Sequence, residues 1–247
     1  DSQNAGALLG LATIEMRNNR TNDALRLVEE GLKVFPCSDT FLRLASHVYE
    51  KAGSYRKAVA TAERATEINP ANPLAWANLG SIFISCLKPE EALKAFEASL
   101  ARKPGQPNVL QAMAGTHSNL GNREESKRLF EECLKLNHSM AHAHAGLLRL
   151  ASFSCPNEKL AMLESMIEKG GLPAPDRAVL HFALARVYDA RQSFEEAFKH
   201  LARGNEIENR IRPFVGEQVR QQHELIKLAF DRALFERIEP EADQDTT

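Results

Sequence analysis

The chain has 247 residues, with 31 Lys+Arg against 33 Asp+Glu for a net charge of −2, and is 43% apolar and 26% charged. That near-neutral balance excludes a phosphate-tracking nucleic-acid groove, which rests on many Lys and Arg contacts, and the apolar content excludes a disordered chain. No run of about 18 apolar residues is available to span a membrane, and no basic–apolar–small leader opens the sequence.

Residues 5–38 open a pattern that then recurs. Pro36, Pro70, Pro104 and His138 are spaced 34 apart, and Ala24, Ala58, Ala92 and Ser126 keep the same interval. Two landmarks in one phase mark an internal repeat. The clearest unit, 73–106, carries Trp76, Leu79, Gly80 and Phe83 at i, i+3, i+4 and i+7, one face of a helix. Gly80 is read as a point of close helix approach, with Ala12, Ser46 and Ala114 in the same slot. Ala92, Phe96 and Ser99 stripe a second helix, which Pro104 stops. Asn72-Pro73 reads as an N-cap followed by a proline at the first helical position. Asn122 with Glu125 and Ser193 with Glu196 read as capping boxes, and Gly53 and Gly121 suit left-handed turns.

Six units follow, at about 5–38, 39–72, 73–106, 107–140, 141–177 and 178–211. The fifth is irregular. Ala161 and Pro173 each come one residue late, which implies an insertion near Ser154–Asn157, and Leu148 fills the small-residue slot. Gly170 to Pro175 is the best hinge candidate. Unit six recovers with Leu184, Ala185, Tyr188, Ala197 and Leu201. Residues 216–237 then place Val219, Ile226, Phe230 and Leu234 on one side of a longer helix. The organisation expected is a solenoid over 1–215, a capping or linking helix over 216–238 and a flexible tail over 239–247. Such a helix would cover the last apolar face of a stacked array. Asp1 is not Met and EADQDTT is polar, so a processed chain or a piece of a longer one is expected.

A 34-residue helix pair resembles the tetratricopeptide repeat. The expected fold is therefore all-α, a tetratricopeptide-repeat helical solenoid of about six helix pairs plus the C-terminal capping helix. The stretch HFALARVYDARQSFEEAFKHLARGN (181–205), after the Leu160–Glu164 segment, is similar to the last repeat of bacterial tetratricopeptide-repeat sulfotransferases, and 217–238 resembles their linking helix. This resemblance implies an appended catalytic domain. The chain holds no strand–Gly-rich-turn–helix phosphate loop and no G-x-x-x-x-G-K-[ST], so by itself it is expected to be non-catalytic and to bind no cofactor.

The chemistry-bearing residues agree. Cys37, Cys86, Cys133 and Cys155 form no C-x-x-C pair and read as free thiols of a reducing, cytoplasmic compartment. His138, His142 and His144 cluster, but His142 and His144 diverge by about 200° on a helix, so no metal site is assigned. His117 shares the aromatic slot of Tyr49 and Phe83.

In tetratricopeptide repeats the first helix of each unit lines a concave face that grips peptides. Carried onto this sequence, that resemblance implies a peptide-binding face with Arg43, His47, Asn78, Ser81, Asn108, Gln111, Asn119, Arg149 and Arg186, flanked by Glu50, Lys51, Ser85, Ser118, His142 and Asp189. The polar slots are densest over units two to four. Side-chain amides there suit an extended peptide backbone, and the basic groups suit a carboxylate. The family's carboxylate clamp is only half present, since Arg43, His47 and Asn78 fit but Asn108 and Ala112 hold its last basic slots. The expected function is a non-catalytic scaffold binding a protein or peptide, with no nucleic-acid or membrane partner. The alternative is the accessory repeat region of a sulfotransferase or other transferase.

Overall fold

The computed structural model describes residues 2–151 and 155–213, together with positions 216, 220 and 224. Apart from those three positions, the capping helix and tail expected beyond Pro213 lie outside the described residues, as does Ser154 of the expected insertion. Among the described residues the regular structure is helical: α1 (Ser2–Arg17), α2 (Thr21–Val34), α3 (Asp39–Lys51), α4 (Tyr55–Ile68), α5 (Pro73–Ser85), α6 (Pro89–Arg102), α7 (Pro107–Asn119), α8 (Arg123–Leu136), α9 (Ala141–Ala151), α10 (Asn157–Glu168), α11 (Ala174–Ala190) and α12 (Phe194–Ile211). They make six successive pairs, the second to fourth built from helices of 13 and 14 residues. None is long and apolar enough to cross a membrane.

One turn closes five of the pairs. The first helix ends at a left-handed residue, Asn19, Gly53, Leu87, Gly121 or Gln192, with φ between 57° and 83°. The next residue donates its N–H back across the last turn: Arg20 to Glu15, Ser54 to Tyr49, Lys88 to Phe83, Asn122 to His117 and Ser193 to Tyr188. This bond satisfies a carbonyl that the helix end would leave orphaned. It also corrects the two capping boxes. Asn122 and Ser193 make no side-chain cap, because the tight turn delivers them at ψ 69° and 68° rather than in the extended region. Asn122 instead meets His117 Nδ1 at 3.3 Å, and Glu125 accepts from Arg128. Side-chain caps occur where the chain enters a new pair extended, at Ser38 (ψ 111°) and Asn72 (ψ 110°).

The helices form two rows. Successive first helices touch (α1 with α3, α3 with α5, and so on to α11), whereas among the described residues no two second helices pack to a comparable extent. A double row whose odd members lie closer together must curve with those members inside. The inner face is therefore made by α1, α3, α5, α7, α9 and α11.

Packing holds this order until the fifth pair. There α9 packs against α11 instead of α10, and α10 contributes mainly Leu160 and Leu163. The core divides at the same place. One apolar cluster runs from Ala12 and Val28 through Ile82 and Phe96 to Leu147, and a second joins Leu148 to Leu160, Leu163, Leu180 and Leu184. The adjacent residues Leu147 and Leu148 thus feed different cores. Burying such a side chain stabilises by about 1.5–3 kcal/mol, and in a stacked array each increment reaches only the neighbouring units. Gly170 and Gly171, both left-handed, deliver the chain into α11 at Ala174.

In unit six Leu184, Ala185 and Ala197 are buried, but Leu201 is 42% exposed and faces solvent on α12. All four cysteines are free thiols; Cys133 and Cys155 are buried and Cys37 is exposed.

Candidate functional site

A concavity lies on the inner face at the break between the two cores. It is a cleft of about 480 Å³ between α7, α9 and α11. Gln111 and Gly115 come from α7; His142, Ala145, Gly146 and Arg149 from α9; Val179, Phe182, Ala183, Arg186, Val187 and Ala190 from α11. Each set follows the i, i+3, i+4, i+7 spacing of one helical face. The floor is deep because the inward slots of α7 and α9 hold glycine and alanine. Its walls are Phe130 and Phe182, each ring seated against a glycine backbone, at Gly146 and Gly204.

The rim is polar. Arg149 donates to Ser118 Oγ across to α7 at 3.1 Å. His142 Nδ1 lies 4.0 Å from Asp176 Oδ1. Arg186 is exposed, and among the described residues it meets no carboxylate or other hydrogen-bond partner.

The residues singled out from sequence divide between two regions. Gln111, His142, Arg149 and Arg186 line the cleft, and Ser118 supports Arg149. Much of the run over α3 and α5 is engaged within the chain, although Arg43 Nε is buried and meets no hydrogen-bond partner among the described residues. Asn78 is 7% exposed and donates to Ser46 Oγ at 2.9 Å, while Ser46 donates to the Arg43 carbonyl at 2.7 Å. Glu50 is shared by His47 (3.3 Å) and Ser85 (2.5 Å), and Ser81 bonds back to the Ala77 carbonyl at 3.1 Å. Asn108 and Asn119 are exposed but stand outside the cleft, as do Lys51 and Asp189. The cleft belongs to the inner helices of units four to six, whereas the polar slots are densest over units two to four. Phe182, Val179 and the small floor were missed. The signal available was the set Gly115, Ala145 and Gly146, three small residues in slots that face inward.

Behind the cleft, a polar cluster ties α10 to α11 and α12. Tyr188 donates to Glu164 Oε1 at 2.6 Å, His200 Nε2 lies 3.4 Å from the same oxygen, and the Nδ1 atoms of His181 and His200 are 2.9 Å apart. One of those two nitrogens must donate and the other accept. Tyr188 stacks on His200 at 5.5 Å between centroids. Burial, then the charges of His200, Arg203 and Arg177, push the His181 imidazole down to about 4. Burial and Glu164 push the Tyr188 phenol up to about 12. His144 is buried too; burial lowers its pKa, and its Nε2–H donates to the His138 carbonyl at 2.9 Å. Among the described residues no three His, Cys, Asp or Glu side chains converge as a metal site would require.

Tetratricopeptide-repeat family profiles match residues 44–107 and 107–139, which cover α4 to α8. Over residues 44–139 the helix pairs match tetratricopeptide repeats. An uncharacterised protein of Aquifex aeolicus is 25% identical over 117 residues, 47% of this chain and 15% of that protein. Anaphase-promoting complex subunit 3 of Schizosaccharomyces pombe is 17% identical over 198 residues, 80% of this chain and 29% of that protein. The chain therefore spans less than a third of the length of these curated relatives. Among solved structures, pilF of Pseudomonas aeruginosa superposes with a TM-score of 0.62 at 16% identity, covering 90% of this chain and 98% of that one. A tetratricopeptide repeat protein of Parabacteroides merdae gives 0.63 at 21% identity, covering 92% and 84%. At these identities the likeness is one of fold.

Proposed function

We propose that the chain is a non-catalytic scaffold that holds a segment of a partner protein in the cleft between α7, α9 and α11. The observation that carries this reading is the coincidence of the cleft with the break in the core. Where α9 turns from α10 to α11, small inward residues leave a concavity with an apolar floor and a polar rim, the composition of a preformed binding site. Over α3 and α5, Asn78, His47, Ser85 and Ser81 are bonded to Ser46, Glu50 and Ala77. Filling the cleft tests the reading. Ala145→Trp places an indole over the floor from a half-buried position. Peptides selected from a displayed random library on the parent chain should lose binding to this variant, while its helical circular dichroism stays unchanged. Binding that survives would move the site elsewhere.

A second reading takes the chain as the repeat region of a longer transferase, whose scaffold presents an acceptor protein to a sulfotransferase domain. Its support is the resemblance of 181–205 to such repeats. The coding sequence downstream of Thr247 tests it: a strand–Gly-rich-turn–helix segment within the next few hundred residues is expected, and a different domain would refute it.

A further inference from the structure

The two exposed guanidiniums of the cleft narrow what it can hold. Shifting α9 by 37 residues onto α11 aligns the buried sets: Ala141 with Ala178, Ala143 with Leu180, Gly146 with Ala183, Leu147 with Leu184 and Leu148 with Ala185. The same shift puts Arg149 on Arg186. The two arginines therefore occupy one slot of successive inner helices, which pack about 8–10 Å apart, and stand at the same end of the groove.

Several surface arginines of the chain pair with carboxylates. Arg128 bonds Glu125 and Glu132, and Arg203 and Arg210 share Glu206. Arg186 has no such partner among the described residues, and no Asp or Glu lines the cleft. Arg149 is aimed across the groove by Ser118. Below this cationic end, Val179, Phe182 and Val187 offer an apolar wall, and the volume lies within the roughly 300–1,000 Å³ of small binding pockets.

Resting on the reading of the cleft as a docking groove, we infer that its occupant is an acidic partner segment. A large apolar side chain fills the floor beside Phe182, and a neighbouring Asp or Glu is gripped by Arg149 and Arg186. The planar guanidinium fork suits a carboxylate, and steering between opposite charges adds to the encounter rate. These slots are not those of the half-present clamp over Arg43, His47 and Asn78.

A displayed library of random dodecapeptides, panned on the whole chain, tests this. The expected result is enrichment of Asp or Glu next to Leu, Phe or Trp. The best peptide should bind at least tenfold more weakly to Arg186→Glu, and weaken as NaCl rises from 50 to 500 mM. Exchanging its acidic residue for Lys should recover part of the loss on Arg186→Glu. Arg186 is exposed, so matched circular dichroism is expected for the variant. Peptides blocked by Ala145→Trp but showing no acidic enrichment, or indifferent to Arg186→Glu, would overturn the inference and leave the groove standing. Peptides indifferent to Ala145→Trp, or no enriched peptide at all, would overturn the groove itself.

Discussion

A Cβ atom at Gly80 would lie 2.5 Å from Cε1 of Phe96, so the ring of α6 occupies the space in which any other residue of α5 would carry its side chain. One repeat later the arrangement reverses. Phe130 fills the slot of Phe96, but its own pair has Ala114 where Gly80 stood. Its ring turns instead to the next pair, where a Cβ at Gly146 would come within 2.3 Å. The aromatic goes wherever the glycine is.

Gly80→Ala should therefore destabilise the chain by about 1–3 kcal/mol through overpacking against Phe96. Gly115, also within a first helix, has nothing within 4 Å of its would-be Cβ. Gly115→Ala should be neutral or stabilise by up to about 1 kcal/mol, because alanine favours the helix. Urea midpoints of the two variants check both signs. Equal midpoints would mean that Phe96 relaxes freely.

Leu87 sits at φ 57° in the left-handed turn slot and is 89% exposed. The conformation costs a residue with a Cβ about 1–2 kcal/mol, and almost no burial offsets it. Leu87→Gly should raise stability by about 0.5–1 kcal/mol once the greater freedom of glycine in the unfolded chain is subtracted. The converse change, Gly53→Ala at φ 73°, should lower stability by a similar amount. Thermal melts of the pair give the test, and a destabilised Leu87→Gly would contradict it.

The His181–His200 contact makes the C-terminal pairs sensitive to acid. Burial, with the nearby His200, Arg203 and Arg177 charges, holds His181 down to about 4, below the ordinary imidazole value of 6.5. The fold therefore prefers the neutral ring. As pH falls from 6.5 towards 4 the unfolded chain takes up a proton that the folded chain refuses, so stability declines across that window and levels off below it. The full loss is at most about 3 kcal/mol. Urea midpoints at pH 7 and pH 4.5 should differ more for the parent than for His181→Gln. An identical pH response in the two proteins would remove His181 as the cause.

The helix pairs were legible because their punctuation is chemical. Pro36, Pro70 and Pro104 end second helices, and Ala24, Ala58 and Ala92 are fully buried in the positions their spacing required. The left-handed turn was legible at Gly53 and Gly121 but not at Asn19, Leu87 or Gln192, where the backbone imposes the conformation on a residue that does not advertise it. The cleft was half legible. Arg149, Arg186 and Gln111 stood in inward slots, but the position of the groove depends on α9 packing against α11. It depends equally on bonds such as Asn78 to Ser46, 32 residues apart, which withdraw polar groups from the surface. Neither relation is local in sequence.

The last helix pair leaves an apolar stripe: Phe194 is 64% exposed, Phe198 71% and Leu201 42%, all on α12. In a stacked array such a face is covered by the following element. The sequence after Pro213 carries Val219, Ile226, Phe230 and Leu234 at helical spacing, enough to cover it. Burying Phe198 and Leu201 would contribute about 1.5–3 kcal/mol each before the entropy of ordering is subtracted. Truncation after Arg212 should then leave a contiguous apolar patch that drives dimers or larger aggregates. Adding Phe198→Ser to the truncated chain should restore the monomer. Multi-angle light scattering at matched concentrations reads both outcomes. A monomeric truncated chain with an unchanged thermal midpoint would show that the downstream segment does not cover α12.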